Sequence, residues 1–349
     1  MKTKLVYVLT CDPECTYIEQ ALISIWSARH HNPNAYIVLL VDDITNTLLK
    51  EGRGKLLEYI SEKIVIDLPA GMFMRERSRW IKTSVRNLIS GDFLFIDIDT
   101  IITSSLDIID SNTAEVAAVL DYHMNVENYP SFLKDLLKKR LDKIGIDINK
   151  VSCYFSSGVM YVKDCAISRC LYEKWHNAWF KGLSNGFIGD QPYLLKADMD
   201  MGGVISTLDW KWNCIMYTYP KNEFKAYILH FSAFENMSFM FDNNCLSVIR
   251  QQGIDNFKNM ILVPQKTYIA HLESHPISSY RNIYEALQFI NNYCPNSLNT
   301  YLIKFTSKDI VSRLIKRGNY NMAVLYICIK SILNNIHSTL IKIYKKCIK

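Results

Sequence analysis

From the N-terminus to about residue 230, short β-rich runs alternate with helical ones, and this alternation restricts the chain to one broad class of fold. Strands are expected over 4–9, 35–41, 63–68, 93–98, 115–120, 154–162, 203–208 and 226–231, with helices over 17–31, 79–89, 131–143, 168–181 and 191–197. Runs such as Ile37-Val38-Leu39-Leu40-Val41 and Phe93-Leu94-Phe95-Ile96 are apolar at every position, as strands covered on both faces must be. The pattern predicts an α/β domain with a mostly parallel sheet, whose ligands bind beyond the carboxyl ends of the strands. Only 13 Gly and 9 Pro occur in 349 residues that are 49% hydrophobic, which excludes disordered and collagen-like chains. After residue 250 the strand signal fades and helical patterns follow at 281–293, 308–316 and 320–345. The expected organisation is an α/β domain over 1–250 and a mainly helical extension over 251–349.

Charge divides along the same line. The formal net charge is +6, yet residues 301–349 hold ten Lys/Arg against Asp309 alone, leaving 30 basic and 33 acidic groups in the first 300 residues. A nucleic-acid binder would carry a basic stripe over its folded body, so nucleic acid is not an expected partner. In the tail, Leu325, Ile329, Ile332, Leu333, Ile336, Leu340 and Ile343 recur on one helical face, interspersed with lysines. Such a helix packs its apolar stripe on the main domain or docks on an anionic membrane surface, and the two roles are compatible. No apolar run approaches the roughly 20 residues of a membrane span, and the run over 5–9 is too short for a signal-peptide core. A cytoplasmic protein is expected, with peripheral attachment to the inner face of the membrane through 301–349. Its 10 cysteines include no CxxC pair, so most are expected to be reduced.

The most informative stretch is Phe93-Leu94-Phe95-Ile96-Asp97-Ile98-Asp99-Thr100. Alternation along a strand would project Asp97 and Asp99 from one side at its carboxyl end. Two carboxylates that close repel unless a cation or hydrogen-bond donors offset them. Oxygen-rich sites suit Mg²⁺ or Mn²⁺, which bind through one or two carboxylates together with substrate phosphates. The first strand leads into Thr10-Cys11-Asp12-Pro13-Glu14 without GxGxxG, and no GxxxxGK[ST] occurs, so dinucleotide and P-loop chemistry lack their usual signals.

An acidic pair of this kind also occurs in haloacid-dehalogenase-type phosphatases, where the first Asp, here Asp97, would be the nucleophile. In that family the motif opens its domain and an acidic pair follows; here about 90 residues precede it and the clear pair, Asp42-Asp43, lies upstream. A stronger resemblance is spread along the chain. FLFIDIDTIITSSLDII resembles the DxD segment of family-8 glycosyltransferases, which include lipooligosaccharide galactosyltransferases and glycogenin. In the same order, YFSSGVMYVK (154–163) resembles that family's FN(A/S)GVxxxN segment, GDQPYLL (189–195) its DQDxLN segment and LDWKWN (208–213) its late aromatic-Asn segment. HFSAFE (230–235) resembles the start of its HxxGxxKPW motif but lacks the Gly, Lys and Trp.

The resemblance, which covers roughly 4–245, implies a GT-A-like fold, Rossmann-like and typical of nucleotide-diphospho-sugar transferases. It also implies a metal-dependent, retaining hexosyltransferase. The donor would be a UDP-sugar, UDP-Gal or UDP-Glc, and the acceptor a glycan or lipid-linked glycan such as a bacterial surface polysaccharide. Asp97, Asp99 and His230 would hold Mn²⁺ or Mg²⁺. Tyr17 would stack on uracil, or is an ordinary packed tyrosine. Thr10 and Asp12 lie on the turn that holds base and ribose. Arg79 or Lys82 would approach the sugar or diphosphate; the spacing does not choose between them, and Arg79 is favoured because its fork suits bidentate contacts. Asp190 would bind the donor sugar with Gln191 near the anomeric carbon, although Asp190 is also a good helix N-cap. Ser156 stands where the family has Asn, followed by Ser157 and Gly158. With the family's lysine absent, Lys221, Lys225 or a tail residue is a substitute that nothing in the sequence selects. Besides the phosphatase, a non-catalytic sugar-nucleotide or glycan-binding module is the competing reading.

Overall fold

Lys4–Leu9 forms β1, a strand buried at five of its six positions, and it pairs in parallel with β2 (Ile37–Asp42) on one side and β4 (Phe93–Ile96) on the other. The computed structural model describes residues 1–129, 131–184, 186–215, 226–231, 243–262 and 264. Within them β3 (Glu62–Ile66), β6 (Val116–Leu120), β7 (Phe155–Val162) and β8 (Ile205–Thr207) complete a seven-stranded sheet of order β3-β2-β1-β4-β7-β6-β8. Only β7 runs antiparallel to its neighbours, β4 and β6, so the sheet is mostly parallel as the apolar runs require.

Two helices cover one face of this sheet. In α3 (Met74–Leu88) the apolar residues Ile81 and Val85, and in α5 (Ala166–Leu183) Leu171, Tyr172, Trp175 and Trp179, join Val6, Val38, Phe93, Phe95 and Met160 in one core. The other chief helices are α1 (Tyr17–His31), the short α2 (Asp43–Leu48), α4 (Ser131–Asp142), α6 (Gln191–Asp200), α7 (Asn243–Gln252) and α8 (Lys258–Leu262). Helix α1 lies against a second, three-stranded sheet of order β5-β10-β9, made of β5 (Thr100–Ile102), β9 (Cys214–Ile215) and β10 (Ile228–His230). Two serines buried inside α1 are satisfied there: Ser27 Oγ accepts from the Ile102 amide (2.9 Å), and Ser24 Oγ lies 2.7 Å from Thr100 Oγ1.

Two expectations need correction. The strand predicted over 93–98 stops at Ile96; the chain bends through Asp97–Asp99 and resumes as β5, paired with β10 instead of the main sheet. Helix α3 begins at Met74, five residues earlier than its pattern indicated. No Ser, Thr, Asp or Asn marks its start; the Glu76 carboxylate turns back to accept from the Phe73 amide instead (2.9 Å). Cys11 and Cys15 form a disulfide, because the turn after β1 brings their Cα atoms to 6.0 Å, while Cys153, Cys165 and Cys170 are free. No helix among the described residues is long and apolar enough to cross a membrane. The tail 301–349, with its expected anionic surface, and Lys221 and Lys225 lie outside the described residues.

Candidate active site

The bend after β4 and the antiparallel register of β10 on β5 build the centre of the site. His230 pairs across from Thr100, and the Phe231 amide donates to the Asp99 carbonyl (2.9 Å), so a residue 131 positions after Asp99 is fixed beside it. The ligand atoms of Asp97, Asp99 and His230 all lie within 4.8 Å of one another. His230 is 2% exposed. Its Nδ1–H donates to Asn213 Oδ1 (2.7 Å), which leaves Nε2 as the ring's free lone pair. That Nε2 is buried without a hydrogen-bond partner, 3.2 Å from Asp99 Oδ1. Two carboxylates and an orphaned imidazole nitrogen form a donor set that fits Mn²⁺ or Mg²⁺.

Gly158 makes the convergence sterically possible. A Cβ at that position would lie 2.2 Å from His230 Cε1, 2.9 Å from its Nδ1 and 3.1 Å from Asp97 Oδ2. The Gly158 carbonyl meanwhile accepts from the Asp97 amide (2.8 Å), continuing the ladder between β4 and β7 past the end of the strand. Burial pushes the Asp97 carboxyl above its ordinary range, Lys82 opposes that, and the neighbouring Asp99 charge adds to it. Burial acts on Asp99 in the same sense, but the His230 imidazole outweighs it and holds that carboxyl low. For His230, burial disfavours the charged form, yet the two carboxylates prevail and raise it.

Helix α3 brings cations to the same place. Lys82 Nζ donates to both oxygens of Asp97 (3.0 Å each) and stands 3.6 Å from Asp190 Oδ2, while Arg79 Nε lies 3.5 Å from Asp190 Oδ1. Asp190 precedes α6 but caps nothing with its side chain. Its carboxylate instead accepts from Ser157 Oγ (2.9 Å), and the Trp175 indole fixes its carbonyl (2.9 Å). Burial alone would raise its pKa; Lys82 first, then Arg79 and the serine hydroxyl, hold it low. A buried carboxylate tied to two cations from another helix is positioned for more than ending its own helix.

A cavity of about 500 Å³ opens beside these groups; Asp97, Asp99, Arg79 and Lys82 reach it, while His230, Ser157, Gly158 and Asp190 are not among its lining. Of the residues singled out in the sequence, Thr10, Tyr17, Arg79, Lys82, Asp97 and Asp99 line it. Thr10 Oγ1 donates to the Met74 carbonyl (3.1 Å), tying the turn after β1 to the start of α3. Others stand behind the cavity. Asp12 is not among its lining: its Oδ1 accepts from Arg77 Nη2 (2.6 Å), and Arg77 Nε in turn donates to the buried Asp42. Ser156 Oγ accepts from Asn213 Nδ2 (2.9 Å) and from the Gly158 amide (3.3 Å), so it braces the amide that orients His230. Gln191 Nε2 donates to Asp121 Oδ2 (3.1 Å), away from the lining.

The structure adds groups that sequence reasoning passed over. Gln20, Met74, Arg75, Ser78, Ile188 and Gly189 also line the cavity. Arg75, Arg79 and Lys82 follow one helical face, a signal that was present but fell outside a helix begun at residue 79. Asn213 ends the LDWKWN segment singled out in the sequence, but its orienting role exists only once β9 and β10 lie side by side.

No known family model and no curated protein matches the sequence. Among the solved structures similar to this chain are three that are glycosyltransferases by name. Mouse xyloside xylosyltransferase 1 has a TM-score of 0.45 at 14% identity, over 67% of this chain and 98% of that one. Galactosyltransferase LgtC, in complex with donor and acceptor sugar analogs, has a TM-score of 0.49 at 13% identity, over 74% and 95%. Glycosyltransferase GlyE of Streptococcus pneumoniae TIGR4 has a TM-score of 0.44 at 20% identity; the match spans 75% of this chain and 64% of GlyE.

Proposed function

We propose that this chain is a metal-dependent, retaining glycosyltransferase that moves a hexose from a UDP-sugar, UDP-Gal or UDP-Glc, to a glycan acceptor such as a surface polysaccharide. One observation carries the reading: the orphaned His230 Nε2 converges with Asp97 and Asp99 at a cavity whose other walls are the Thr10–Tyr17 turn and a cationic helix face. The ordered motifs of the sequence supply the class of donor and the stereochemical outcome.

Asp97, Asp99 and His230 would hold Mn²⁺ or Mg²⁺, which when bound supplies a Lewis acid for the departing diphosphate. The chain's own groups do the remainder. Lys82 and Arg79 add positive charge where the leaving group develops negative charge. Tyr17 offers its ring to the base beside Thr10. Asp190, already deprotonated and held by three donors, fixes the sugar hydroxyls. Since its charge is engaged by Lys82 and Arg79, it is a poor protein nucleophile, and retention follows from attack by the acceptor on the face that the diphosphate leaves.

The test is UDP release from UDP-Gal and UDP-Glc with Mn²⁺. Slow donor hydrolysis that disappears with EDTA and in Asp99→Asn is expected. Hydrolysis of generic phosphomonoesters with capture of an aspartyl-phosphate at Asp97 would replace this reading with the phosphatase. Tight UDP-sugar binding without turnover on any acceptor would replace it with a binding module.

A further inference from the structure

Helix α3 presents five residues to the cavity, Met74, Arg75, Ser78, Arg79 and Lys82, at the spacing of a single helical face. Two of the three cations on this face are committed inside the protein: Lys82 to Asp97 and Asp190, and Arg79 to Asp190. Arg75 is exposed and has no hydrogen-bond or ion-pair partner among the described residues. It lies seven residues before Lys82, about 10 Å along the helix axis. Its neighbour Met74 is the residue whose carbonyl receives the Thr10 hydroxyl. The α3 face therefore runs from the metal-ligand end of the cavity, marked by Lys82, to the turn after β1, marked by Arg75.

Charge counts in the same direction. Arg75, Arg79 and Lys82 balance Asp97, Asp99 and Asp190, so a bound divalent cation leaves two positive charges. A nucleoside diphosphate esterified to a neutral sugar carries two negative ones. A guanidinium with no protein anion opposite it is suited to bidentate contact with a phosphate.

We propose that Arg75 is a binding residue for the diphosphate of the donor and supplies the cation that the sequence does not place in its final motif. The proposal rests on the transferase reading above, and the experiment separates the two. UDP with Mn²⁺ and Mn²⁺-pyrophosphate are titrated by calorimetry, and uridine by ligand-observed NMR, which reads millimolar affinity. Wild type, Arg75→Gln and Arg75→Lys are compared. Arg75→Gln is expected to weaken UDP and pyrophosphate about tenfold while leaving uridine unchanged, and Arg75→Lys to fall between because it keeps the charge and loses the fork. The salt dependence of UDP binding is expected to flatten in Arg75→Gln. An unchanged UDP affinity in Arg75→Gln overturns the proposal and leaves the transferase reading standing. An equal loss for uridine and UDP also overturns it, since Arg75 would then hold the nucleoside. Wild-type protein that binds neither UDP nor pyrophosphate overturns both.

Discussion

Asn213 holds His230 by its Nδ1 and is itself held by Ser156, so a neutral amide determines which imidazole nitrogen faces the two carboxylates. Groups at this distance from a metal typically change its affinity 10–100-fold. Asn213→Ala is therefore expected to weaken Mn²⁺ binding by about that factor in calorimetry, with an unchanged far-UV spectrum. Ser156→Ala, which removes only the brace, should cost less. Equal Mn²⁺ affinity in wild type and Asn213→Ala would show that the ring needs no orienting partner. At this scale the acidic pair was legible from its spacing and residue type, and the late histidine only through the resemblance of HFSAFE to a family motif. Asp12 lies on the expected turn after β1, but its partner was not legible: Arg77, 65 residues later, takes up its carboxylate.

Among the elements, α3 does two jobs on two faces. One face lines the cavity; the other presents Arg77, which joins Asp12 on the turn after β1 to Asp42 at the end of β2. Asp42 is nearly inaccessible and also caps α2, its Oδ1 accepting from the Thr45 amide (2.8 Å). Removing one partner of a buried pair strands the other charge, a loss of about 3–5 kcal/mol. Arg77→Met should lower stability by that order in urea titration, and adding Asp42→Asn should recover part of it. Additive losses in the double variant would mean that the two do not interact. The type and approximate positions of the main-sheet strands were legible because central strands are apolar throughout. The true start of α3 and the existence of β5 were not: the first lacks a capping side chain, and the second is three residues whose partner lies over a hundred positions away.

Over the whole molecule, the two sheets meet where the site forms, and His123 lies at that junction, its Nε2 2.8 Å from the Asn213 carbonyl. Burial pushes its pKa down from 6.5 to about 4. Between those values the unfolded chain takes up a proton that the folded chain refuses, so this contribution is complete above pH 6.5 and is lost as pH falls towards 4. The full effect is about 3 kcal/mol. Denaturation at pH 7.5 and 4.5 should show a steeper loss in wild type than in His123→Gln; parallel losses would assign the acid sensitivity to the carboxylates alone. No local pattern could have shown this, since the burial arises from segments about 90 residues apart.

The gap at Gly158 also affects how this chain can be compared with others. Any side chain there, even a methyl group, would occupy the volume that the imidazole needs. Among proteins gathered for their likeness to this one, that single alignment column works as a filter. One that kept both aspartates but carried a larger residue in it would have no room for the imidazole, and with it would lack the third ligand proposed above.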